Sequence, residues 1–229
     1  SMKRALSAAA TLEQKAYWYD NLSRTMMNVN PMAADSLGER YIFMAEESRD
    51  RKLIYDAFVS NGIRCGYFRN QRKFVERSID YFEKALDVAR QNKMDKRAGA
   101  AQLLLADMYL AVPDKDKALR LAAEANSRIS TLKDDSLKVE ANNVYGRVYL
   151  ARNDRILALR HHLMALDIAE EIKADDKSTK RMKSGLMRNC YLNLSTFYTS
   201  IGDYDKAIDK YAEAYKMLDN LTDRKVPYQ

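Results

Sequence analysis

The chain has little that would break a helix or fix a loop: 229 residues hold only 7 glycines, 3 prolines and 2 cysteines. Such scarcity argues against a β-rich fold built on tight turns and suits long helices. Histidine is confined to His161 and His162. Adjacent on a helix, they point about 100° apart and cannot converge on one metal. No glycine-rich phosphate loop follows a strand, and the acidic pairs Glu46-Glu47 and Asp134-Asp135 sit where helix ends would use them as caps. No catalytic, metal or cofactor-binding residue is therefore expected, and the chain reads as noncatalytic. No stretch approaches the roughly 20 apolar residues of a membrane span. The start Ser1-Met2-Lys3-Arg4 lacks the apolar run of a secretory signal and has the form of a cloning remnant, so a leader or anchor removed upstream is compatible with it.

What the chain does have is a ladder of small residues. Ala45, Ala85, Ala125 and Ala165 stand 40 residues apart, and Ala214 follows after nine more. Seven residues before each lies another small residue: Gly38, Ser78, Ala118, Ala158 and Ala207. On a helix the two share a face, which lets a neighbouring helix approach closely. A period of this length marks a helical repeat array. We expect an all-α chain of about five antiparallel hairpins over 10–48, 52–92, 95–130, 135–174 and 177–221, forming one array over 1–229 with 222–229 as an exit segment. Thr11-Leu12-Glu13-Gln14 has the form of a capping box, Asn30-Pro31 ends one helix and starts the next, and Asp114 is placed to cap a third. The nine extra residues should lengthen the helices around 170–187. Cys65 and Cys190 fall in different repeats and read as small buried hydrophobes. His162 occupies the slot of Phe82 and Tyr211, so packing explains it. Tyr55, Tyr67 and Tyr228 lie off the core slots.

The fifth hairpin carries a resemblance. Tyr191, Leu194, Ser195, Tyr198, Gly202, Tyr204, Ala207, Tyr211 and Ala214 resemble the tetratricopeptide repeat consensus in spacing and type. Tyr145, Gly146, Tyr149, Ala158 and Ala165 follow it, as do Leu105, Ala106, Tyr109, Ala118 and Ala125. The second repeat keeps Gly66, Ser78, Phe82 and Ala85 but has Arg69 where an aromatic is expected, and the first is degenerate. The resemblance implies a right-handed α-solenoid in which Gly66, Ala106, Gly146 and Ser195 each meet a small residue of the following helix. It also implies that a peptide or protein partner lies on the concave face, lined by the first helix of each pair. Carried over residue by residue, that groove comprises Asp20, Ser23 and Met27; Ser60, Ile63 and Tyr67; Ala100, Leu103 and Asp107; Glu140, Asn143 and Arg147; and Asn189, Leu192 and Thr196. Asn143, Arg147 and Asn189 offer amide and guanidinium groups to a peptide backbone or carboxylate. Replacing Asn143 and Asn189 by alanine should then weaken binding without moving the thermal midpoint much. The two-lysine carboxylate clamp of chaperone-binding members is absent. The longer repeats resemble the sensor arrays of Bacteroidetes signalling and transcription regulators. That resemblance implies an extracytoplasmic sensory region of a membrane-anchored regulator, with a free-standing cytoplasmic adaptor as the alternative.

Charge supplies a third reading. Lys and Arg number 39 against 32 acidic residues, a net charge of +7, with basic clusters at 69–77 and 177–188. A stripe of that kind would bind nucleic acid or acidic membrane surfaces in a salt-dependent way. Acidic residues are interspersed nearly everywhere, however, as in Asp114-Lys115-Asp116-Lys117, and alternating signs mark solvated helix faces, so nucleic acid is not the favoured partner. If the helix after Asp203 exposes Ile208, Tyr211 and Tyr215, a partner or another copy of the chain should cover it.

Overall fold

The computed structural model describes residues 11–112 and 114–218. Among them are ten helices and no strand: α1 Leu12–Met26, α2 Pro31–Ser48, α3 Arg51–Gly66, α4 Arg72–Gln91, α5 Asp95–Met108, α6 Lys115–Ser130, α7 Asp135–Ala151, α8 Arg155–Glu171, α9 Lys177–Ser200 and α10 Tyr204–Lys216. The chain divides into two compact halves, Ser1–Val112 and Pro113–Gln229. In the first, each of α1 to α4 packs on its successor and α1 also touches α3. In the second, α6 to α9 do the same and α7 also touches α9. The first helices α1 and α7 thus meet both their own partner and the first helix of the next hairpin.

The helix starts are set locally. Thr11 and Gln14 form the expected reciprocal capping box, and the Asn30 side chain accepts from the Ala33 amide with Pro31 in the first turn. Asp50, Asp114, Asp134, Asp154, Asp176 and Asp203 each accept from an amide of the first turn of the helix that follows. Such a cap contributes about 1 kcal/mol. The connections turn through left-handed residues at Arg49, Lys93, Asn153 and Gly202. Only Gly202, at φ +82°, spares the chain the steric cost of a side chain there.

The small-residue ladder is the packing joint. Ala45, Ala85, Ala125, Ala165 and Ala214 are all buried. Ser78 donates to the Gly62 carbonyl at 2.7 Å, and Ser195 to the Ala207 carbonyl at 2.8 Å. Gly66 does lie against Ser78, but Gly146 departs from the expected small-on-small contact. A Cβ there would fall 2.3 Å from the His162 ring, so Gly146 makes room for an imidazole. Gly62 does the same for Phe82, at 2.4 Å. His162 is therefore the core residue its slot implied, completely buried on the face that α8 turns to α7.

The nine extra residues of the last repeat lengthen α9, which runs for 24 residues. From its added turns Lys183 reaches back to the carbonyls of Glu170 and Ile172, at 2.5 and 3.0 Å, and so satisfies acceptors that the end of α8 leaves open. The core of this half gathers Val139, Ala165, Leu166, Cys190, Leu194 and Ala214. Burial pushes the Cys190 thiol up to about 11 and raises that of Cys65 as well; both are free and inert as nucleophiles. Tyr55, off the repeat grid, is a core residue after all. Its hydroxyl donates to the Arg97 carbonyl at 2.8 Å, and the Arg97 guanidinium lies 5.4 Å from its ring. Tyr67 is exposed, and Tyr228 lies outside the described residues.

Candidate functional site

In the first half, the α1 and α3 faces that the family pattern assigns to a ligand enclose a cavity of about 250 Å³ lined by Arg24, Met27, Ser60, Ile63, Arg64 and Tyr67. Ile63 is 54% exposed and Tyr67 66%, a large apolar area left open to solvent. One side of the cavity is polar and held in place. Asp20 pairs with Arg24 at 2.9 Å and accepts from the Ser60 hydroxyl, to which Arg24 also donates at 3.3 Å. The structure thus brings Asp20, Met27, Ser60, Ile63 and Tyr67 together.

Three groove positions are corrected. Ser23, Leu103 and Asn143 are buried and present nothing to a ligand. Ser23 donates to the Ala34 carbonyl at 2.7 Å and ties α1 to α2. Asn143 has no exposed surface; its amide nitrogen approaches Cys190 Sγ at 3.5 Å, and its Oδ1 is buried without a hydrogen-bond partner. The physical reason is the double contact of first helices: α7 touches α8 and α9, so the strip left for a ligand is narrower than a single hairpin suggests. The remaining positions stay at or near the surface. Asp107 receives Arg69, with 2.9 Å to its carboxylate and 2.6 Å to its carbonyl. That contact explains why Arg69 replaces an aromatic. Ala100 and Glu140 are half-buried, and Arg147 donates to Asn193 Oδ1 at 3.1 Å across α7 and α9. Asn189 and Thr196 are exposed and Leu192 half-buried.

Sequence reasoning missed two lining residues, the exposed Arg24 and Arg64, and Arg64 lines the cavity with only 6% exposure. It donates to Asn61 Oδ1 at 3.0 Å and to Asp35, while its Nε is buried without a partner. Arg77 adds a second guanidinium to Asp35 at 2.7 Å. Burial alone would raise the Asp35 carboxyl, but hydrogen bonds from Arg77 and Arg64 and their charges outweigh it and hold the carboxyl below its ordinary range. The available signal was a lone arginine inside the otherwise uncharged stretch from Ala57 to Cys65. Asn61, on the same helix, donates to the Gly38 carbonyl at 3.2 Å, and a Cβ on Gly38 would fall 2.1 Å from its Oδ1.

Chemistry elsewhere is sparse. Among the described residues no group of His, Cys, Asp and Glu could hold a metal ion, and no helix is long and apolar enough to cross a membrane. Burial, with the positive charge of Arg147 and His161 nearby, lowers the His162 imidazole to about 4, and both of its nitrogens lack partners. The basic cluster at 69–77 is largely neutralised, since Arg69, Arg72 and Arg77 pair with Asp107, Glu76 and Asp35.

No protein-family model matches the sequence, and no curated protein matches it. Solved structures do. BtubC (BKLC) from P. vanneervenii aligns over 100% of this chain and 95% of its own, with 18% identity and a TM-score of 0.65. A Rap protein solved in complex with Competence and Sporulation Factor aligns over 96% of this chain with 17% identity and a TM-score of 0.73; this chain spans 58% of its length. The TPR-like repeats of a Podosopora anserina kinesin light chain align over 87% of this chain and 93% of theirs, at 13% identity and a TM-score of 0.57. With alanine joints, capped hairpins and these neighbours together, the chain has the fold of the tetratricopeptide-type helical repeat proteins.

Proposed function

We propose that this chain is a noncatalytic scaffold that holds a peptide or an extended protein segment on the α1 and α3 face, as the interaction or sensory region of a bacterial regulator. The observation that carries the reading is the open apolar cavity of Met27, Ile63 and Tyr67 beside the fixed Asp20, Arg24 and Ser60 group. An apolar pocket with a few oriented polar groups is the usual form of a binding site. Support also comes from the Rap neighbour, whose structure contains a bound factor. A peptide selected from a random display library against the whole chain provides the test. Ile63→Glu should weaken that peptide at least about tenfold, a change of about 1.4 kcal/mol. Phe43→Glu, at another exposed apolar position, should leave it bound. Equal affinity of the Ile63 variant and the parent would refute the assignment.

A further inference from the structure

The face of α10 is exposed where the same face of earlier repeats is covered. Tyr211 follows His162 by 49 residues and Phe82 by 129, so the three occupy one slot of the second, fourth and fifth repeats. Phe82 is 2% exposed and His162 0%, whereas Tyr211 is 59% exposed. Its neighbours along the stripe behave alike: Tyr204 and Ile208 are exposed, while Val75 at the equivalent place in α4 is buried. Behind α4 and α8 another helix follows and packs, α5 in one case and α9 in the other. The stripe on α10 therefore has the dimensions and spacing of a helix-binding face.

We propose that α10 pairs with α10 of a second copy of this chain, antiparallel about a two-fold axis near residue 210. The charges select this occupant. Paired in opposite directions, the two copies bring opposite charges together along one flank of the stripe. A parallel pairing would instead set each charge beside its own copy, like against like. On the flank of the stripe, Asp205 and Lys216 are three turns apart and face the same way, so the two-fold brings Asp205 beside Lys216 of the second copy, and the reverse. Within one chain Lys216 pairs with Glu213 at 2.6 Å, an exposed contact that is cheap to exchange. The apolar centre is Ile208 against Tyr211 of the second copy, twice over. An isologous contact of this kind closes at two copies and does not propagate into a filament. One helix face is smaller than the roughly 1,600 Å² of a standard interface, so the pair should form and dissociate with concentration.

Sedimentation velocity of the full chain tests this. Between about 5 and 200 µM, a range spanning micromolar affinity, the weight-average mass should climb from 26.4 kDa towards twice that value. Ile208→Glu, at an exposed position, should keep the helical circular dichroism and remain at 26.4 kDa throughout. Lys216→Asp should weaken the pair several-fold, and adding Asp205→Lys to it should restore the pair. A parent chain that stays monomeric overturns the proposal and leaves the stripe to residues 219–229 or to another protein. A mass that keeps rising past two copies, an Ile208 variant that still dimerises, or a charge reversal that does not restore the pair overturns it as well.

Discussion

The face formed by α1 and α3 is open, and the matching face of α7 and α9 is laced together. In the first half Met27, Ile63 and Tyr67 leave a cavity; in the second, Arg147 donates to Asn193 and bridges the two helices. The layers beneath differ in the same sense. Under the open face lies a charged cluster, with Asp35 between Arg64 and Arg77; under the laced face lie neutral groups, Asn143 against Cys190 and the partnerless His162. Equivalent repeat positions thus share backbone geometry and alanine joints while their polar chemistry diverges. The scaffold is carried by the small residues, and the variable positions are free to make a pocket or a brace.

The largest break in this contrast should come from Asp35→Asn. Arg64 would keep its burial and lose its only carboxylate, and removing one member of a buried pair costs about 3 to 5 kcal/mol. Urea titration reads this as a lower midpoint, and an unchanged midpoint would mean that the cluster contributes no stability. Acid should separate the two joints next. The His162 imidazole falls from 6.5 to about 4 on folding, so the unfolded chain binds the extra proton between those values. Stability is full above pH 6.5 and falls by about 3 kcal/mol as pH drops to 4. The Asp35 carboxyl is shifted the other way relative to its charge: its contribution persists until pH falls below the ordinary carboxylate range. His162→Phe, which installs the residue found in the α4 slot, should remove most of the loss between pH 6.5 and 4, leaving the part due to His161, whose imidazole burial also lowers, and the loss below 4. Denaturation at several pH values measures both.

A smaller effect of opposite sign is expected at Asn143. Its Oδ1 is buried without a partner, so Asn143→Leu, close in volume, should raise stability by about 1 kcal/mol. A fall in the thermal midpoint would show that the Cys190 contact matters more than the stranded acceptor. The position also shows where sequence reasoning stops. The joints at Ala45, Ala85, Ala125, Ala165 and Ala214, the aspartate caps and the long α9 were legible, because each rests on local sterics or a single helix's hydrogen bonds. Asn143 was not, since whether a first helix shows a given side to solvent depends on how closely the next first helix settles against it. Arg64 was hidden for a related reason. Its partner Asp35 stands 29 residues before it, and Arg77, which shares that carboxylate, 13 after it, a grouping no helical period marks. At the candidate site, the residues named from the repeat pattern include Met27, Ser60, Ile63 and Tyr67, which line one cavity, and Ser23 and Leu103, which are buried.

The smallest stability change belongs to the most informative substitution. Tyr67 follows the last residue of α3 and is 66% exposed, touching Phe68 edge-on with ring centres 5.7 Å apart. Tyr67→Ser should therefore shift unfolding by no more than about 0.5 kcal/mol. A residue with so little structural work to do has no folding reason to be large and aromatic. If the open face binds as proposed, the same substitution should weaken a selected peptide about tenfold, because aromatic anchors at the centre of a contact carry a disproportionate share of its energy. Asn143→Leu should do the reverse, moving stability and sparing affinity. Measuring both variants for both properties separates scaffold from site: a Tyr67 variant that binds normally would reduce the open face to an unfilled gap between helices.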